Sequence, residues 1–214
     1  SETFLNFLEL IAPKYFAKIS EHDSWGLARN FSGGKYDFPK YWNNPLESQL
    51  PLAPNMKLFS LYGVGKATER SYAYEASDDI GVRCNNIPFR LARSVTNTEA
   101  MVNAGIRLAD GDGTVPLISN GFMGIKGWKD PIYNPSNMSS IVREYQHLPE
   151  LFGSGGMFTN RFRGGRTTAD HVDILGNHDL ITDLCLIVSG NEDQVQEQIF
   201  SDLRALVDSI NLDE

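Results

Sequence analysis

Two carboxylates stand two residues apart in the middle of the chain, each followed by glycine: Leu108-Ala109-Asp110-Gly111-Asp112-Gly113-Thr114-Val115-Pro116. Gly111 and Gly113 open backbone angles that a side chain would forbid, so the stretch predicts a tight turn that fixes a carboxylate in one pose. Thr114 is a candidate cap for the segment after it, residues 115–123, which reads as a short helix opened by Pro116. A carboxylate beside a helix start is readily kept ionised by the helix dipole. Whatever this chain folds into must place something useful against that turn.

The spacing alone leaves several chemistries open. Asp110-x-Asp112-Gly113-Thr114 matches the signature of haloacid-dehalogenase-type phosphatases, with Asp110 as nucleophile and Asp112 as acid/base. That signature belongs after an apolar strand near a domain start, whereas here Arg107 interrupts the strand and half the chain precedes it. A calcium loop of the EF-hand type wants glycine at its sixth position and an oxygen ligand at its twelfth; Val115 and Gly121 stand there. A plain hairpin turn also fits the spacing. The fourth possibility is an acid that orients a histidine.

Four histidines are available for that role. His22 and His178 have no distinctive setting, and His147 ends a predicted strand, where a hydrogen-bonded structural imidazole is common. His171 follows a Gly-rich stretch (149–168) whose composition predicts mobility, and it opens a stripe of Val172, Leu175, Leu180, Leu184 and Ile187 at helical spacing. An acid after one strand and a histidine after the next is the chain order of an α/β-hydrolase, Ser…Asp…His. In that chemistry the histidine takes and returns a hydroxyl proton while the carboxylate fixes its tautomer, and Asp112 is a better candidate than Asp110 because Gly113 and the helix start follow it directly. No Gly-x-Ser-x-Gly occurs in the chain. A hydrolase fold with these features is therefore expected to be its C-terminal half.

The surrounding pattern supplies the frame. Residues 2–11 carry Phe4, Leu5, Phe7, Leu8 and Ile11 on one helical face, with Pro13 as the stop. Residues 20–55 are irregular, punctuated by Gly, Asn and Pro and anchored by aromatic side chains; a loop of that length is usually functional. Residues 56–62 predict a buried strand closed by Gly63-Val64-Gly65, where the glycines permit close backbone approach. Residues 70–75, 87–95 and 104–109 predict short strands forming an antiparallel excursion, residues 139–145 a further strand, and residues 194–210 a final amphipathic helix. The strands at 56–62 and 139–145 are expected to be neighbours in one sheet, with Asp112 and His171 at the same sheet end.

Bulk properties exclude some partners. With 214 residues and 41% hydrophobic side chains, the chain suffices for one domain burying roughly 70% of its surface. A net charge of −8 without any basic run argues against nucleic acid. Cys84 and Cys185 give neither metal-site spacing nor a disulfide framework, though a single bridge between them is conceivable. No cofactor or metal site is legible. No apolar run reaches membrane-spanning length, and a start at Ser1-Glu2-Thr3 without an initiator Met reads as a fragment or a processed piece.

Taken together, several stretches bring a family into view. Leu61-Tyr62-Gly63-Val64-Gly65 with Thr68-Glu69-Arg70-Ser71-Tyr72-Ala73-Tyr74, then the 110–116 stretch, then Ile141-Val142-Arg143-Glu144-Tyr145 with His147, and His171-Val172-Asp173-Ile174-Leu175-Gly176-Asn177 follow one another in order. In these the chain resembles the C-terminal part of the lecithin:cholesterol acyltransferase family, most closely its phospholipid:diacylglycerol acyltransferase branch. Secreted members carry a cysteine before the Leu-Tyr-Gly-Val-Gly stretch, where this chain has Ser60. The resemblance implies an α/β-hydrolase fold, here its C-terminal half with inserted short antiparallel strands, Asp112 as triad acid and His171 as triad base. It implies transfer of a fatty acyl chain from a phospholipid to diacylglycerol through an acyl-serine whose serine lies upstream of residue 1. A phospholipase of the same family and an inactive remnant are the alternatives. It further implies no cofactor, a membrane anchor upstream, and a lumenal domain at the endoplasmic reticulum membrane, with which the sequons at Asn30 and Asn137 agree.

Overall fold

The apolar run after Pro54 becomes a strand, β1 (Lys57–Val64), and the run after Asn137 becomes a second, β7 (Ser139–Gln146), in a computed structural model that describes residues 4–32, 34–76, 89–149 and 165–211. Ahead of β1 come α1 (Phe4–Ile11) and α2 (Pro13–Ser20); between the two strands come β2 (Thr68–Tyr72), β3 (Tyr74–Ala76), β4 (Phe89–Leu91), β5 (Val102–Asn103), β6 (Ile106–Ala109) and α3 (Leu117–Ile125) in chain order, and after β7 come α4 (His178–Val188) and α5 (Leu203–Asp208). The chain divides into two compact units, one of Ser1–Pro51 with Ser71–Arg107, the other of Leu52–Arg70 with Leu108–Glu214.

The second unit is α/β. β1 and β7 are neighbours, as expected, and they pair in parallel over their whole length, from Lys57 opposite Ser139 to Val64 opposite Gln146. Parallel pairing needs a crossover, and α3 lies in it, packed on both strands and on α5. Its mid-helix glycines weaken the isolated helix but permit this docking: a Cβ on Gly124 would meet Val142 Cγ2 at 2.4 Å, and one on Gly121 would meet Leu203 Cδ2 at 2.3 Å. Val64, Val142, Leu203 and Val207 are essentially fully buried around these contacts. On the other flank Tyr145, Ala169 and Leu180 form a second cluster with Leu61 and Ile174 against it.

Two helical expectations fail in this unit. Residues 194–210 are not one helix. Gln198 lies along β7, its N–H donating to the Val142 carbonyl at 3.0 Å and its carbonyl accepting from Glu144 N–H at 2.8 Å; only α5 is helical beyond it. The spacing of Val195, Leu203 and Val207 suits a helix, but the open edge of β7 and the buried Glu144 carboxylate, which accepts from the Phe200 and Ser201 N–H groups, hold the segment extended. The stripe from Val172 to Ile187 is likewise broken: Asp173–Gly176 is a 3-10 turn, and α4 starts afresh at His178 with Asn177 as its cap. His171 therefore sits in a turn and does not open an α-helix.

In the first unit Pro13 does end α1, but it also takes the first position of α2, where its missing N–H costs nothing. Phe7 of α1 packs on Tyr74 and Phe89 of the antiparallel β3–β4 pair. The strand expected at 70–75 is split at Ala73, whose N–H donates to Gly105 and whose carbonyl accepts from Ala92. β5 and residues 106–107 form a tight hairpin, with Ala104 and Gly105 both at positive φ, so 104–105 is turn and not strand. Residues 20–55 are irregular apart from 3-10 turns at Lys35–Asp37 and Pro39–Tyr41. The 4%-exposed Glu47 anchors part of that region, its carboxylate accepting from Gly26 N–H, the Asn44 amide and the Ser24 hydroxyl. Of the expectations above, residues 87–88, Cys84 and most of the Gly-rich stretch (150–164) lie outside the described residues.

Candidate active site

The Asp112 turn caps itself. Asp112 Oδ1 accepts from Thr114 N–H at 2.9 Å and Val115 N–H at 2.7 Å, an Asx turn made possible by Gly113 at φ +91°. Thr114 makes no cap to α3; the cap position falls on Pro116, without a side-chain hydrogen bond. The second carboxylate oxygen is thereby turned to other partners. Oδ2 lies 2.9 Å from His171 Nδ1, with the Asn120 amide at 3.5 Å.

His171 reaches this carboxylate because its own turn is tied to the same peptide. Its N–H donates to the Asp112 carbonyl at 2.9 Å. The approach of that loop to β1 depends on Gly63, where a Cβ would fall 1.7 Å from the Ala169 carbonyl oxygen, as the glycines after the strand led one to expect. Asp112 is 5% exposed, whereas the His171 side chain is 47% exposed. Burial pushes the Asp112 carboxyl up, but the Val115 N–H, the His171 imidazole and the Thr114 N–H outweigh it and hold the group below its ordinary range. The result is an ionised, nearly dry carboxylate clamping one nitrogen of a solvent-facing imidazole. With Nδ1–H given to the acid, Nε2 is the nitrogen left for proton transfer.

The other candidates separate cleanly. Asp110 does not meet the imidazole; its Oδ1 accepts from Gly65 N–H and Gly111 N–H, both at 2.7 Å, stitching the end of β1 to the acidic turn. One carboxylate orienting a histidine and the other bracing the loop is not the paired-carboxylate arrangement of the phosphatase reading. His147 Nδ1 accepts from Ala169 N–H at 3.2 Å and faces the Thr168 hydroxyl at 3.3 Å, a structural role. Among the described residues no group of three or more His, Cys, Asp or Glu is arranged to hold a metal ion.

Sequence reasoning missed the supports. Thr68, 1% exposed, accepts Gly113 N–H at 2.8 Å and donates to the Lys66 carbonyl. Lys66 pairs with Asp170 at 2.9 Å. No local pattern marks Thr68 or Lys66, because their partners lie tens of residues away; Asp170, two and three residues before the N–H groups it caps, carries an ordinary Asx-turn signal.

The model of the lecithin:cholesterol acyltransferase family matches residues 3–178, a span holding the Asp112 turn and His171. The chain belongs to the lecithin:cholesterol acyltransferase family. Its relatives in that family include a putative phospholipid:diacylglycerol acyltransferase 2 of Arabidopsis thaliana, 40% identical over 213 residues that make up 98% of this chain and 31% of the relative. The phospholipid:diacylglycerol acyltransferase of Schizosaccharomyces pombe is 36% identical over 87% of this chain and 29% of its own length. That of Saccharomyces cerevisiae is 32% identical over 93% and 28%. The chain thus spans about a third of the length of the curated relatives it matches. No solved structure gives a significant match.

Proposed function

We propose that Asp112 and His171 are the acid and base of a Ser–His–Asp triad that transfers a fatty acyl chain from a phospholipid to diacylglycerol. The observation that carries this reading is the 2.9 Å contact between His171 Nδ1 and the buried Asp112 carboxylate. The names of the relatives, each a phospholipid:diacylglycerol acyltransferase, supply the substrates. The nucleophilic serine belongs, in this reading, to a part of the protein upstream of these 214 residues, which hold no Gly-x-Ser-x-Gly. Unit 2, with its parallel β1–β7 pair and an acid and a histidine at one sheet end, is then the C-terminal half of an α/β-hydrolase fold.

His171 Nε2 takes the serine proton as the serine oxygen attacks the phospholipid ester carbonyl. The tetrahedral intermediate expels the lysophospholipid oxygen, which leaves with that proton, and an acyl-serine remains. The diacylglycerol hydroxyl then gives its proton to His171 and attacks the acyl-serine; collapse returns the proton to the serine and releases triacylglycerol. Asp112 stays ionised throughout and stabilises the imidazolium. The protein works at a membrane surface, in a lumenal compartment at the endoplasmic reticulum; both sequon asparagines, Asn30 and Asn137, are exposed, as glycosylation would require.

The test is an assay of the complete protein with acyl-labelled phosphatidylcholine and diacylglycerol in vesicles, separating triacylglycerol from free fatty acid. Labelled triacylglycerol that disappears in His171→Ala supports the reading. Label released only as fatty acid would make the protein a phospholipase, and activity retained in His171→Ala would remove the triad.

A further inference from the structure

Lys66, just beyond the end of β1, touches both of the turns that carry the acid–histidine couple. Its N–H donates to the Gly111 carbonyl at 3.1 Å, and its carbonyl accepts from the Thr68 hydroxyl at 2.9 Å, the same hydroxyl that holds Gly113 N–H. Its aliphatic stem covers Gly113, where a Cβ would come within 2.7 Å of Lys66 Cδ. These contacts brace the turn that carries Asp112. The far end of the same side chain reaches the other turn: Lys66 Nζ lies 2.9 Å from Asp170 Oδ2. Asp170 Oδ1 in turn accepts from Val172 N–H at 3.2 Å and Asp173 N–H at 2.8 Å, so it wraps the loop around His171.

As a source of stability this ion pair is weak. The Lys66 and Asp170 side chains are 40% and 22% exposed, and solvent-exposed pairs of this kind add little to stability. As a spacer it is well placed, since it joins the two turns whose separation sets the Asp112–His171 distance. We propose that Lys66, through its pair with Asp170, is a positioning residue that holds the His171 turn against the Asp112 turn. The inference rests on the acyl-transfer reading above.

Lys66→Met and Asp170→Asn each break the pair and loosen the His171 turn. A misplacement of about 1 Å at a reacting group costs up to roughly 100-fold, so a loss of about tenfold in kcat is expected for Lys66→Met, with KM nearly unchanged. Lys66→Arg, which keeps the charge and the reach, should restore most of it.

The experiment uses the complete protein in the vesicle assay, measuring kcat, KM and the melting temperature for Lys66→Met, Lys66→Arg and Asp170→Asn, beside His171→Ala and Asp112→Asn. A loss of kcat in Lys66→Met with KM nearly unchanged, restored in Lys66→Arg, at a melting temperature close to wild type supports the positioning role. A kcat within twofold of wild type in Lys66→Met while His171→Ala is inactive would overturn it. So would a kcat loss that tracks a fall in melting temperature, which marks a purely structural pair. Retained activity in His171→Ala would instead overturn the triad reading itself.

Discussion

His171 is bound to Asp112 twice, through its imidazole Nδ1 to the Asp112 carboxylate and through its main-chain N–H to the Asp112 carbonyl, each at 2.9 Å. Two contacts to one residue fix both the position of the turn and the direction of the ring. The imidazole cannot drift from the acid without breaking a backbone hydrogen bond as well.

The two carboxylates of the acidic turn should therefore respond very differently to amide substitution. In Asp112→Asn, Oδ1 stays on the Thr114 and Val115 N–H groups, so the new NH₂ faces His171 Nδ1 and forces the wrong tautomer. The expected loss of acyl transfer is roughly 10⁴-fold with the fold intact. Asp110→Asn keeps an oxygen for Gly65 and Gly111 and should cost about tenfold or less, since only a loop brace is softened. Steady-state rates and melting curves of the two variants check this, and equal severe losses at unchanged stability would count against Asp112 as the triad acid.

Gly63 sets how closely the His171 loop approaches β1. A methyl group there would overlap the Ala169 carbonyl oxygen at 1.7 Å, and both groups are backbone, so neither can swing away. Gly63→Ala should cost about 2 kcal/mol or more. Gly176, with nothing within 4 Å of a Cβ, is the matched control, and Gly176→Ala should stay within about 0.5 kcal/mol of wild type. Chemical denaturation of both variants makes the comparison.

The parts of this protein legible in its sequence are those whose signals are local. The strand at 57–64 announces itself by its apolar run, that at 139–146 by the β-branched and aromatic Ile141, Val142 and Tyr145, and the Asp-Gly-Asp-Gly turn by residues that favour it. The pairing of Asp112 with His171 follows from chain order, because an acid and a histidine after successive strands fall at one sheet end. Of the helices that failed, one did so where a tertiary partner overrode periodicity and the other where a local cap interrupted it. The free edge of β7 claimed residue 198, and Asn177 capped a new helix inside what looks like a continuous stripe. Glu47, Lys66 and Thr68 were invisible for the opposite reason: each acts on residues far away in sequence or on backbone groups that no motif marks.

His147 gives the protein a pH dependence that does not pass through catalysis. Burial lowers the pKa of its imidazole, the Lys66 charge lowers it further, and Asp170 and Asp173 oppose only in part. The folded state therefore binds fewer protons than the unfolded chain between the depressed value and the ordinary one near 6.5, and stability rises with pH across that window. As pH falls from about 7, the protein should lose stability until His147 is protonated in both states, because a proton on Nδ1 would confront the Ala169 N–H. Melting temperatures at a series of pH values should show this slope in wild type and a flatter one in His147→Gln. Parallel slopes would assign the titration to another group.

β7 carries two buried polar side chains with opposite accounts, and substitution should reverse the usual expectation for one of them. Glu144 is fully buried and accepts four hydrogen bonds, from Tyr62 and Ser201 hydroxyls on Oε1 and from Phe200 and Ser201 N–H on Oε2. In Glu144→Gln the amide oxygen can keep the two N–H groups while both hydroxyls rotate to accept from the NH₂, so the cost should be about 1 kcal/mol. Glu144→Leu leaves the two N–H groups buried without an acceptor and should cost roughly 3 kcal/mol or more, freeing the segment from residue 198 to α5. Four positions earlier, Ser140 Oγ is buried with no partner among the described residues. Its hydroxyl was desolvated on folding without a hydrogen bond in return, so Ser140→Ala should be neutral or stabilising by up to about 1 kcal/mol. Denaturation midpoints for the three variants give the order directly. If Ser140→Ala were the most destabilised of them, the hydroxyl would have a partner and the balance drawn for this strand would be wrong.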